Sequence, residues 1–422
     1  MSAAFGAGTG LALPADAAAL VAAGAQWLTG AARAYGTLSQ GERVAAIAAV
    51  PFSGGNSGHK LLLSAQVAGE PAARALFVKF SRDFTDPFRD RRRFELEAEV
   101  HIARLSRHPG FPIAIPRPFF ADFDPESGTG LVITERIAFG EAGIEPLHHK
   151  CMDHLLADPL DHYRALLTAL ARLAAADQAG RLAPDALRLF PEDRAALAAD
   201  LPVAHDRAAL HKAVADYADF AHEAPRLLLP AITTSRFLAR FEADARAFLA
   251  AQPAVRRFLA ADPALTALAH WNCHIDNAWF FRDAGGELAC GLMDWGMARR
   301  MNLGVAIWGS LSGMEPALLA EHCDALLAHF GQALAAAGGA PIAPARLALH
   351  FDLAVMTVGM ALLLDGPALV RRRLPRWREA TGPRDPMLFT DEVARGFLHV
   401  FRNWLMLWEG RDFGRALARV AV

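Results

Sequence analysis

Between Leu268 and Met297 the chain reads LAHWNCHIDNAWFFRDAGGELACGLMDWGM. Asn277-Ala-Trp-Phe-Phe281 and Leu288-Ala-Cys-Gly-Leu-Met293 are apolar runs too short for helices. Asp283-Ala-Gly-Gly286 between them predicts a tight turn, because glycine accepts positive φ at little steric cost. The resulting hairpin predicts Asn277 and Asp294 at adjacent strand ends, pointing the same way. An amide oxygen beside a carboxylate suits a hard cation such as Mg²⁺. Phosphoryl transfer from ATP uses such a pair, since the metal bridges the phosphates and offsets developing charge. The plainer reading of the same residues is a buried hairpin whose polar ends cap turns.

Such a site needs elements that hold a nucleotide, and the N-terminal third supplies candidates. Val44–Val50, Lys60–Val67 and Ala75–Phe80 read as strands, with the turn-forming cluster Pro51-Phe-Ser-Gly-Gly-Asn-Ser-Gly58 between the first two. Exposed backbone N–H groups in a loop of this kind can approach phosphate closely. No Walker pattern is present, which disfavours a P-loop fold. Lys79 stands in the third apolar run; alone it reads equally as an edge gatekeeper. Asp90–Arg107 reads as one helix with Phe94, Ala98, Ile102 and Leu105 as its buried stripe, flanked by Glu95, Glu97 and Glu99. Pro109, Pro112, Pro116 and Pro118 predict an extended connector, and Phe119–Phe123 and Leu131–Thr134 two more strands. From about residue 140 the pattern is mostly helical, with Asp161–Gln178 a long periodic segment ended by Gly180. Ahead of the strands, Asp16–Thr29 reads either as an amphipathic helix or as a frayed leader.

The order His270-Trp-Asn272-Cys-His-Ile-Asp-Asn277, then a hairpin, then Met293-Asp294-Trp295, resembles the aminoglycoside phosphotransferase and choline kinase family. That family carries H-x-D-x-x-x-x-N, a hairpin and I-D-[WF]. The resemblance spans roughly residues 44–310 and implies an α+β, two-lobed protein-kinase-like fold. Its small lobe is an antiparallel β-sheet plus one helix, and its large lobe is mostly α-helical. The expected divisions are an N-terminal extension over 1–40, a nucleotide-binding lobe over 41–138, and a helical lobe over 139–422 carrying the loop 268–297. ATP and Mg²⁺ are the implied cofactors, with ATP between the lobes and a small-molecule hydroxyl as acceptor. The resemblance implies Asn277 and Asp294 as metal ligands, Lys79 on the phosphates, and Glu99 as the helix partner of Lys79, with Glu97 second. Ser53, Gly54, Gly55, Asn56, Ser57 and Gly58 would form the loop over the nucleotide, and the backbone around Glu135 and Ile137 the adenine hinge. His270, Asn272 and Asp276 would belong to the catalytic loop. One position departs: the family's catalytic aspartate is Asn272. An amide cannot act as a base at neutral pH, and general-base help is typically worth about 10²–10⁴ in rate. Asp276, or His274, lies near enough in the loop to substitute; Asp276 reads equally as a loop cap. Loss of that aspartate supports one rival, a kinase-like protein that binds nucleotide or ligand without transfer; a nucleotidyl transferase on the same scaffold is a third reading that no residue specifically asks for.

The bulk composition fits this picture. The chain has 422 residues, 53% hydrophobic and 21% charged, as in ordinary globular proteins. With 43 basic and 45 acidic side chains, nothing in the charge balance calls for nucleic acid. Four widely spaced cysteines without Cys-x-x-Cys suggest a reducing, cytoplasmic setting without structural zinc or disulfides. The N-terminus lacks a basic segment followed by a long apolar run, so no signal peptide is expected. Apolar stretches such as Leu353–Leu364 read as too short to span a bilayer. The Arg371–Arg373 run reads as solvated helix ends, and Arg299 as a candidate anion contact.

Overall fold

A computed structural model describes residues 3–52 and 58–420. The chain divides into two compact units: Met1–Glu145 with Leu182–Leu189 and Gly291–Ala298, and Pro146–Arg181 with Phe190–Cys290 and Arg299–Val422.

The first unit is built on five antiparallel strands: β1 (Val44–Pro51), β2 (Lys60–Val67), β3 (Arg74–Phe80), β4 (Pro118–Asp124) and β5 (Thr129–Glu135). Their order is β1-β2-β3-β5-β4. Alternation buries Leu76, Val78 and Phe80 of β3 with Leu61, Leu63, Leu131 and Ile133 in one core. Lys79 therefore projects to the opposite face from Val78, with Lys60 of β2 directly across the ladder and Val132 of β5 on its other side.

Within the expected N-terminal extension, one helix packs on the sheet. α1 (Ala17–Tyr35) starts at Asp16, whose carboxylate accepts from the Ala19 N–H, and runs past the expected end at Thr29. Leu20, Leu28, Ala31 and Ala32 bury into the core shared with the sheet, whereas Val21 is 51% exposed. The single helix expected over Asp90–Arg107 is two: α2 (Pro87–Arg91) and α3 (Glu95–Leu105). Asp86 caps α2 with Pro87 in its first turn. The chain then tightens through N–H to i−3 carbonyl bonds from Arg92, Arg93 and Glu95. The break rotates the buried face. Phe94 is 44% exposed and Ala98 half-buried; Ile102 and Leu105 of the expected stripe are buried, joined by Leu96, Val100 and Ala103. Positions 96, 99, 100 and 103 share one helix face at 3.6 residues per turn, which carries Glu99 inward with them.

The second unit is mostly helical, so the fold class is α+β as the sequence implied. α4 (Pro159–Gln178) is one of its central helices, with Gly180 following at φ +64. β6 (Thr266–His270) pairs with β9 (Ala298–Asn302), and β7 (Ala278–Arg282) with β8 (Leu288–Leu292). The β7–β8 turn is the expected one: Gly286 has φ +82, and the Asp283 side chain accepts from the N–H groups of Gly285 and Glu287. The 19-residue helix Pro344–Leu362, at mean hydropathy 1.4, is long and apolar enough to cross a membrane, contrary to the expectation from Leu353–Leu364. Leu353 to Met360 are, however, all buried within the unit. The four cysteines are unpaired and buried.

Candidate functional site

Lys79 is 6% exposed, yet it is charged on both sides. Its ammonium donates to Glu99 Oε1 and, at 2.6 Å, to Asp294 Oδ1. Of the three glutamates, Glu99 is the one brought to Lys79; the Glu97 side chain is 42% exposed and nearest His101. Burial acts against the lysine's charge, but Asp294 and Glu99 outweigh it and hold its pKa above the ordinary range. Glu99 takes the opposing share: burial pushes its carboxyl up even though Lys79 pulls it down. Lys79 thus sits between two carboxylates, and the charge of Lys60 also acts on Glu99 and Asp294.

Asp294 is not on a strand end. It lies two residues past β8, in the left-handed region at φ 61 and ψ 61, followed by a 3₁₀ turn over Trp295–Met297. Aspartate tolerates this region better than most residues, since its short side chain can hydrogen-bond locally. The approach is fixed by the Leu292 N–H, which donates to the Ala114 carbonyl at 2.9 Å, and by Trp295 Nε1, which donates to the Leu292 carbonyl at 3.1 Å. Gly296 then lies against Glu95 and Glu99. Nearly half of the Asp294 side chain remains exposed.

Lys60 is a site residue that sequence reasoning missed. Burial and then the charge of Lys79 lower its pKa to about 8. The signal was available: the β2–β3 hairpin register sets Lys60 opposite Lys79.

In the second unit the residues expected of a catalytic loop lie between the end of β6 and the start of β7. His270 ends β6 and is wholly buried, so it supports the loop from within and cannot touch an acceptor. Asn277 closes a 3₁₀ turn over Ile275–Asn277, just before β7 rather than inside it. Its amide nitrogen donates to the Asn272 carbonyl at 2.8 Å, so Oδ1 is the atom it could offer a hard cation. Asn272 Oδ1 accepts from Lys150 Nζ at 3.1 Å. That lysine comes from an irregular stretch with no sequence signal. Asp276 is half-buried; burial chiefly raises the pKa of Cys151, Tyr163 and Cys273, and the charge of Asp276 adds to the rise. His274 is buried, and burial followed by Lys150 and His270 hold it neutral, well below the usual histidine range.

Two devices fix this loop. Asp177 of α4 accepts the Leu268 N–H at 2.8 Å and Arg300 Nη2 at 2.7 Å, tying β6 and β9 to one helix end. Gly309 sits where a Cβ would lie 1.7 Å from the Trp271 carbonyl oxygen, so only glycine lets the helix Leu303–Leu311 approach the loop this closely. Arg299, expected as an anion contact, instead pairs with Asp200 at 2.6 Å and lies over the Trp271 ring.

The remaining nucleotide candidates are in the first unit. Ser53, Gly54, Gly55, Asn56 and Ser57 lie outside the described residues. Gly58 has φ +41, and a Cβ there would meet the Phe80 carbonyl at 1.7 Å, so this end of the loop is pressed onto β3 next to Lys79. Glu135 ends β5 with its N–H donated to the Arg117 carbonyl, and its exposed carboxylate is 3.6 Å from Arg117. Ile137 follows the strand, half-buried.

No protein-family profile and no curated relative matches the sequence. Among solved structures, the choline kinase of Cryptosporidium parvum Iowa II is 12% identical, with 87% of this chain and 90% of that one covered at a TM-score of 0.43. The chain is similar to small-molecule kinases. A microcompartment-associated aminopropanol kinase is 11% identical over 87% of this chain and 94% of its own, at a TM-score of 0.41. An aminoglycoside-3'-phosphotransferase of type VIII is 19% identical over 78% and 97%, at 0.37.

Proposed function

We propose that the protein is an ATP-dependent phosphotransferase that phosphorylates a hydroxyl group of a small molecule. The observation that carries this reading is the buried Lys79 held between Glu99 and Asp294. A buried ion pair contributes little net stability over an apolar replacement, so stability is a weak reason for such a cluster. A lysine fixed in direction and kept protonated is what an anionic phosphate needs.

In this reading Lys79 binds the phosphates and Glu99 aims it. The oxygens of Asn277 and Asp294 suit Mg²⁺, which when bound would neutralise phosphate charge. Gly58 lies on the phosphate side, and the backbone at Glu135 and Ile137 receives the base. Asn272, its oxygen already accepting from Lys150, orients the acceptor hydroxyl through its amide N–H₂ or the second lone pair of Oδ1. The proton then goes to Asp276, the carboxylate of the same loop.

The Lys150 contact also favours a second reading. With Oδ1 held by a charged donor and no group there able to take up a proton, Asn272 fits a protein that binds nucleotide or ligand without transfer. Incubation with ATP and Mg²⁺ against alcohols, sugars, aminoglycosides and sterols, read by mass spectrometry, separates the readings. A phosphate gain supports the kinase, an AMP gain a nucleotidyl transferase, and no product the binding protein.

A further inference from the structure

The second unit contains a cavity of about 420 Å³ whose wall includes Cys151, His154, Arg384, Arg395, His399 and Arg402. Cys151 follows Lys150, the lysine on Asn272, and Arg395 Nε donates to the Lys150 carbonyl at 3.2 Å. One wall of the cavity is thus one residue from the catalytic loop's own contact.

The charges in this wall do not balance. Its two carboxylates are engaged. Glu315 meets Arg384 at 3.3 Å and His154 at 3.5 Å. Asp385 accepts from the Thr381 N–H and hydroxyl and from the Met387 N–H. Arg395 donates only to the carbonyls of Lys150, Leu388 and Phe389, and makes no ion pair among the described residues. Arg402 is 7% exposed, and its Nε has no hydrogen-bond partner; it too makes no ion pair among the described residues. An uncompensated buried charge is strongly unfavourable, and a guanidinium presents a planar fork matched to carboxylate or phosphate oxygens. His399 adds no charge at neutral pH, since burial lowers its pKa to about 4 while its Nε2 meets the Met314 carbonyl.

We propose that this cavity is the acceptor pocket and that the acceptor is a hydroxyl compound carrying a carboxylate or a phosphate, bound by Arg402 and Arg395. This rests on the phosphotransferase reading for the word acceptor, but the anion site stands on its own geometry.

The test is ligand binding without nucleotide, by thermal melting and calorimetry, using D-glycerate, sn-glycerol 3-phosphate, glycerol and choline. A saturable rise in melting temperature with glycerate or glycerol phosphate, and none with glycerol or choline, is expected; which anion works tells carboxylate from phosphate. Arg402→Met should weaken that binding tenfold or more. Because it removes an unpaired buried charge, it should melt no lower than the parent without ligand. Arg402→Lys, which keeps the charge but not the fork, should recover part of the affinity. Stabilisation by choline or glycerol with none by either anion overturns the proposal, as does full anion affinity in Arg402→Met. Anion binding with no ATP-dependent product from any acceptor removes the kinase reading alone. Phosphorylation of choline or glycerol, with anions neither bound nor phosphorylated, removes the anion pocket alone.

Discussion

Replacing Lys79 with methionine separates a catalytic lysine from a structural one. Methionine keeps the unbranched stem that packs beside β2 and β5 and removes only the ammonium. Glu99, with its side chain 10% exposed, then loses the main group that lowers its pKa, while the burial that raises it remains. With only Lys60 left to lower that pKa, the carboxyl should hold a proton to higher pH than in the parent. A folded pKa above the unfolded one stabilises the protein below the unfolded value, and that contribution is lost as pH rises through the folded value. The variant should therefore melt near the parent temperature at pH 5 and progressively below it towards pH 8. The loss at the upper end should be on the order of 3 kcal/mol, the scale for stranding one member of a buried pair. Turnover should fall by about 10²–10³ at every pH, the scale for removing one preorganised charge-stabilising donor. Melting curves across pH and product formation by mass spectrometry measure the two effects separately. Turnover within threefold of the parent would refute the phosphate role of Lys79. A melting difference that does not grow with pH would refute the account of Glu99.

Asp276→Asn should lower turnover by about 10²–10⁴ with ATP binding kept, and Asn272→Asp should help little; if Asn272→Asp alone raises turnover, the proton assignment to Asp276 is wrong. Gly309→Ala should push the Trp271 carbonyl away, lowering stability by roughly 1–3 kcal/mol and turnover with it, as seen by melting and kinetics. His350 and His399 are buried with pKa values lowered to about 4, chiefly by burial, so they bind protons more readily unfolded. Their contribution is present above the ordinary histidine pKa and should be lost as pH falls towards 4, seen as a declining melting temperature; Asp153, raised to about 6 by burial, works in the opposite sense.

The five strands of the first unit were legible in the sequence from their apolar runs and the turn residues between them, whereas the β3–β5 pairing that sets their order was not. The β7–β8 turn was legible too, where Asp283 and two glycines leave little choice. The split between α2 and α3 was also written, in the Asp86-Pro87 start signal, but helical periodicity over Asp90–Arg107 masked it. Reading through the break misplaced the buried stripe onto Phe94 and Ala98. Lys60 followed from hairpin register once β2 and β3 were paired. Lys150, the Asp177–Arg300 tie and the arginines of the cavity are brought together by tertiary folding across 122, 123 and hundreds of residues of other sequence, and no local pattern announces them.

The most direct measurement of the central claim is the thermal shift produced by Mg²⁺-ATP in the parent and in Asp294→Ala. A ligand that binds only the folded state stabilises it by about 2.7 kcal/mol at a hundredfold excess over its dissociation constant. The parent should show a saturable rise in melting temperature that requires the divalent ion, and Asp294→Ala should lose most of it while retaining the Lys79–Glu99 pair. No rise at millimolar ATP with any divalent ion, or an undiminished rise in Asp294→Ala, would contradict the account.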